Sequence, residues 1–247
     1  MTVGTGRYRV RSPGPTGKVL RILLLCTGAA ALVADVGASA YLSRRSFVLR
    51  VPSSGDPYLT EPLAGFGSGW FALLQIPSLL SQATIVVWLI WQHQATANLW
   101  ARGHTGLRIT PGWAVGWWFV PFANLGMPLV AMRELDRRSS ADGVPRKASP
   151  LLGWWWAAWL TSSLVPVIGI FGAVFPKVVE WAGAIDEHAT TVDFTPLTRV
   201  VAPWLVATGA LQLAAAVLAF LVVKRIDTAQ AGMVGASPPL PQRPDLP

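Results

Sequence analysis

The sequence predicts an all-α polytopic membrane protein. Long uncharged apolar runs occupy 22–33, 70–92, 109–132, 151–176 and 200–223, and the 20 Lys+Arg are gathered almost wholly between them. Only 13% of residues are charged, against about 25% in a soluble domain. A run of about 20 apolar residues is what a helix needs to cross the hydrocarbon while satisfying its own backbone. With 52% hydrophobic residues and 13 Trp in 247 positions, most of this chain has lipid as its solvent. The net charge of +8 sits beside the apolar runs, where lipid headgroups and topology account for it, and no nucleic-acid partner is expected.

Taken in order, residues 1–18 read as a disordered basic arm near the headgroups. Residues 19–41 form the first expected span. Ala38-Ser39-Ala40 has the small-x-small form of a signal-peptide cleavage site. Asp35 does not belong in an apolar signal core, however, and the stretch is long enough to cross, so a retained helix is the expectation. The second span is 66–92, and 151–175 and 200–223 are the last two. The membrane domain as a whole covers 19–226. Beyond it, 227–247 reads as a Pro-rich disordered tail in which Pro238, Pro241, Pro244 and Pro247 recur every third residue, along one edge of a polyproline II helix.

The third run decides the topology. If it crosses, the basic residues divide almost evenly between the two sides. If 111–132 dips in and leaves on the same side, segments with five, two, five and three Lys+Arg share the cytoplasm, and segments with three and two lie outside. The positive-inside rule selects the second arrangement. The run also has the breaks such a path needs: Pro121, Asn124, Gly126 and Pro128 interrupt backbone hydrogen bonding too often for a straight helix. Four crossing helices plus one re-entrant segment, with a kinked fifth span as the alternative, is therefore the expected fold, with both termini cytoplasmic. Leu129, Met132 and Leu135 share a face after the break, which suits a short helix lying in the interface up to Arg138.

Around the break, Gly112-Trp113-Ala114-Val115-Gly116-Trp117-Trp118-Phe119-Val120-Pro121, followed by Asn124-Leu125, Pro128 and Glu134-Leu135, resembles a bacterial membrane family, DUF 4328, a domain of unknown function. The likeness extends upstream through Trp88, Trp91 and Asn98 and downstream to Lys224-Arg225-Ile226 and Gln230. Trp117, Trp118, Pro121, Asn124, Pro128 and Glu134 are the motif positions. The chain departs from the family's pattern at Asp136, where an aromatic usually follows Glu-Leu, and at Thr96-Ala97. The resemblance implies an integral protein of a bacterial plasma membrane and supplies no reaction.

Within the spans, Asp35 is the one acid, and an intramembrane carboxylate is a functional candidate because burying it is costly. Gly28, Ala31, Ala38 and Ser39 share its helix face, so another helix can approach closely. Counting rises from the outer boundary puts Gln75, Ser78 and Gln212 near its depth, and a buried polar cluster of these four is expected. Ten of the Trp fall towards the cytoplasmic side, beside Arg102, Arg108 and Arg133, which are candidate contacts for lipid headgroups. No nucleophile with a base, no phosphate loop and no metal-ligand spacing appears, so no catalytic residue, metal or cofactor is expected. The expected function is a non-catalytic membrane component binding lipid, a second copy or another membrane protein. A small oligomeric transporter or proton- or cation-coupled channel using Asp35 is the alternative.

Overall fold

The computed structural model describes residues 14–44, 48–50, 58–59, 69–104, 106–140, 144–169, 171–172, 175–176, 179, 191–193 and 195–235. The elements run α1 (Gly14–Arg44), β1 (Val48–Arg50), β2 (Tyr58–Leu59), α2 (Gly69–Ala101), α3 (Pro111–Gly116), a 3-10 turn (Ala123–Leu125), α4 (Met127–Arg138), α5 (Leu151–Gly169), β3 (Thr191–Asp193) and α6 (Thr195–Gly235). The patterned prolines from Pro238 onward, and residues 1–13, lie outside the described residues.

Among the described residues, three helices are long and apolar enough to cross a membrane: α1, α5 and α6. The other expected span, α2, is 33 residues long and carries no charged residue between Gly69 and Gln92.

The helices outrun their expected ends because tertiary burial holds residues that the sequence alone assigns to tails. Gly14–Arg44 begins inside the expected arm, where Gly17 is buried, and a proline is tolerated in a first helical turn. Likewise α6 runs to Gly235, with Asp227 and Gln230 buried where a tail was expected.

The three strands were not expected. At two or three residues each they are too short to show alternation. They form one sheet with β1 at its centre. Leu49 and Arg50 pair antiparallel with Leu59 and Tyr58, and Val48, Leu49 and Arg50 pair antiparallel with Asp193, Val192 and Thr191.

The chain divides into two compact units. The first gathers Met1–Arg21, Val86–Gly153 and Phe220–Pro247, and the second Ile22–Ile85 and Trp154–Ala219. In the second unit α1 and α6 approach backbone to backbone. A Cβ added at Gly28 would lie 2.7 Å from the Ala216 Cβ and 3.2 Å from the Leu213 Cα. Two turns further along α1 the roles exchange: a Cβ on Gly209 would lie 3.0 Å from Asp35 Cβ and Oδ2 and from Leu32 Cα. Small residues permit this proximity, which dispersion then rewards where lipid supplies no hydrophobic drive between helices. Thr27 and Thr84, whose hydroxyls are 2.7 Å apart, tie α1 to α2 in the same unit.

The same packing corrects the expected buried cluster. Asp35 is half-buried against Gly209, and Gln212 is half-buried, but Gln75 and Ser78 are exposed on α2, where the Gln82 amide donates to Ser78 Oγ at 3.5 Å. Equal depth does not fix the rotation of each helix about its own axis, and that rotation turns Gln75 and Ser78 outward.

Candidate functional site

The third apolar run lies wholly in the first unit and is not one helix. Thr110 caps α3, its side chain accepting from Trp113 N–H, with Pro111 in the first turn. The helix ends after six residues. The backbone then turns through Phe122, the single non-glycine residue at positive φ (62°) among the described residues, and through the 3-10 turn. Pro128, buried in the first turn of α4, restarts the helix. Pro121 is exposed and Asn124 half-buried at the turn itself, so the breaks fall where the sequence puts them.

The two ends of this broken segment are clamped to one another. Glu134 on α4 accepts from the backbone N–H of Arg108 at 2.8 Å and of Ile109 at 3.1 Å, one on each carboxylate oxygen. One turn later the Arg138 guanidinium donates to the Gly106 carbonyl at 3.4 Å. The second half of α2 holds the same stretch from the other side, as Trp100 Nε1 donates to the Ile109 carbonyl and His93 Nδ1 to that of Pro111. Replacing Glu134 by Gln keeps one acceptor oxygen and loses the charge-assisted pair, so a cost of about 1 kcal/mol is expected. Faster tryptic cleavage at Arg108 in the detergent-solubilised chain is the measurement.

Deeper in the unit, the amide of Gln92 is a hub. Its Oε1 accepts from Trp88 Nε1 at 3.2 Å and from Trp118 Nε1 at 2.8 Å, the two indoles meeting edge to face at 6.3 Å. Trp118 thereby fixes the broken segment to α2. Next along α2, Trp91 donates to Asp227 Oδ1 at 2.9 Å. A Cβ at Gly17 would run into that carboxylate, so only glycine lets α1 lie there. Gln230 donates to the Ala95 carbonyl and Ser139 Oγ and accepts from Asn98, joining α2, the end of α4 and α6. Asp136, fully buried, accepts from Arg225 Nε at 2.8 Å, Ser149 N–H at 2.8 Å and Arg146 Nη2 at 3.4 Å.

Sequence reasoning missed Gln92, Asp136 and Asp227 as structural partners. The i, i+4 spacing of Trp88 and Gln92 was the available signal for one pair. The contacts to Asp136 and Asp227 reach across the chain and leave no local pattern.

Between α4 and the 106–117 stretch opens a cleft of about 750 Å³. Trp113 and Trp117, with ring centroids 4.7 Å apart, form its aromatic side, and Met127 and Val130 extend the apolar lining. Arg108, Arg133, Arg137 and Arg138 also line it, together with Glu134. Both oxygens of that acid are occupied by backbone N–H groups. Arg108, Arg133 and Arg137 have no carboxylate partner among the described residues. Nearby, burial, then the charges of Arg138 and Arg102, hold the His104 imidazole below its ordinary value; the cleft's own lining has no histidine or lysine, so its positive charge comes from arginine. Of the three expected headgroup contacts, Arg108 and Arg133 line this cleft and Arg102 does not.

No curated protein and no solved structure matches this chain. The family model described as a domain of unknown function, DUF4328, matches residues 65–228, a stretch that includes Trp118, Glu134, Asp136 and the cleft. The chain belongs to the DUF4328 family.

Proposed function

We propose that this protein is a non-catalytic component of a bacterial plasma membrane that binds lipid, with both termini cytoplasmic and with residues 111–132 dipping into the membrane and returning to the cytoplasmic side. The observation that carries the reading is the Glu134 clamp, which ties the segment's exit to its own start. The exposed tip supports it: Phe119 and Phe122 are 70% and 87% exposed at the turn, a cost in water and a gain in hydrocarbon.

The sheet supplies an independent support. β1 and β3 are hydrogen-bonded and so lie on one side of any membrane. The segments between them are α2, the broken segment and α5. If α2 and α5 both cross, a third crossing would put β1 and β3 on opposite faces. Four crossings and a non-crossing third segment satisfy that parity, and the basic residues then collect on the face that holds both termini.

Cysteine labelling tests this arrangement in a Cys26→Ser background. Val144→Cys, at an exposed position, is expected to resist a membrane-impermeant maleimide in intact spheroplasts and to react after permeabilisation. Val179→Cys is expected to react in both. Labelling of Val144→Cys in intact spheroplasts overturns the reading.

A second reading is proton- or cation-coupled passage in an oligomer. It draws on Asp35 half-buried beside Gly209 and on the exposed polar face of Gln75 and Ser78, which lipid leaves unsatisfied and a second copy could cover. Asp35→Asn with unchanged abundance and unchanged pH-dependent ion flux in vesicles rejects it.

A further inference from the structure

We infer that the cleft beside α4 is a site for a membrane lipid with an anionic phosphate headgroup, the phosphate held by Arg108, Arg133 and Arg137 and the first part of an acyl chain lying on Trp113 and Trp117. This rests on the lipid-binding reading above and names the class of lipid.

The chemistry of the lining points one way. The cleft has four guanidinium groups and one carboxylate, and that carboxylate is spent on two backbone N–H groups. A zwitterionic headgroup would bring a quaternary or primary ammonium into a site with a net excess of positive charge. A phosphodiester without that ammonium meets only donors, in the forked geometry that arginine offers to phosphate oxygens.

The apolar part is equally directional. Trp113 is 54% exposed and its ring is packed on that of Trp117, which makes an aromatic wall in a cleft that Met127 and Val130 also line. A free phosphate would leave that wall wet, whereas a lipid covers it. Arg133 and Arg137 are one turn apart on α4, the helix that follows the apolar tip, so charge and aromatic surface meet at the level where headgroup gives way to chain.

The full chain in nanodiscs of mixed phosphatidylglycerol and phosphatidylcholine, analysed by native mass spectrometry after release, tests the assignment. Retention of phosphatidylglycerol over phosphatidylcholine is expected in the wild type, reduced about twenty-fivefold in R133A/R137A, on the basis of roughly fivefold per basic residue lost. It is expected to persist in Arg199→Ala, which removes an exposed positive charge outside the cleft. No preference in the wild type, or equal loss in Arg199→Ala, overturns the inference. Displacement of the lipid by millimolar inorganic phosphate also overturns it, by identifying a soluble anion as the occupant. If the alanine pair fails to accumulate, R133K/R137K serves in its place: preserved charge with lost bidentate geometry is expected to weaken retention, and unchanged retention counts against the site. Val144→Cys labelling is independent of bound lipid, so a failed lipid preference with protected Val144 rejects this site alone.

Discussion

Asp136→Ala is expected to produce the largest loss of stability of any single side-chain truncation in the first unit. The carboxylate is fully buried and accepts from Arg225, Arg146 and the Ser149 backbone. Removing one partner of a buried charge pair costs about 3–5 kcal/mol when the other is left without solvent. Here the side chains of Arg146 and Arg225 are 34% and 38% exposed and can rehydrate, which lowers the expectation to roughly 2–3 kcal/mol. Asp136→Asn retains an acceptor for Ser149 and loses the charge, so about 1 kcal/mol is expected. Thermal unfolding of the full chain in detergent measures both, and an Asp136→Ala midpoint equal to that of the wild type would remove this residue as the anchor joining α4 to α6.

The second large effect is expected where α1 meets α6. Gly28→Ala places a methyl 2.7 Å from the Ala216 Cβ, a contact that can be relieved only by moving one helix, at about 1–3 kcal/mol. Ala216→Gly by itself removes a few favourable contacts and is expected to cost less. Combined, the two substitutions exchange which helix carries the methyl, and the pair is expected to recover more than half of the Gly28→Ala loss. A double-mutant cycle on detergent-solubilised protein reads the coupling. Additive effects would show that the cost of Gly28→Ala does not come from the Ala216 contact.

How far the sequence carried the description depends on whether a feature is local. The break in the third apolar run was legible because Pro121, Gly126 and Pro128 act on the backbone within a few residues of themselves. The helix after it was legible from the spacing of Leu129, Met132 and Leu135. Arg108 and Arg133 were legible as neighbours of a tryptophan-rich face. Their joining by Arg137 and Arg138 was not, because it depends on which side of α4 turns toward the stretch before α3. The Glu134 clamp was hidden for a related reason: its partners are backbone N–H groups, which leave no mark in composition. In the second unit, the small residues around Asp35 correctly indicated close helix approach, but helical rise gives depth without azimuth, and Gln75 and Ser78 were therefore assigned to the wrong side of α2. At the chain's ends, polar character suggested tails, whereas α6 continues through Asp227 and Gln230, where Ala95 and Asn98 bond the Gln230 amide and Trp91 donates to one Asp227 oxygen.

The position of β1 between β2 and β3 also sets the order of assembly. A nascent chain can form the β1–β2 ladder early, yet the other edge of β1 stays open until Thr191–Asp193 has been synthesised. Unpaired edges recruit foreign strands. A polypeptide stalled or truncated before that point would therefore be recognisable as unfinished, and premature termination should be met by rapid proteolysis rather than by accumulation of a partly working product.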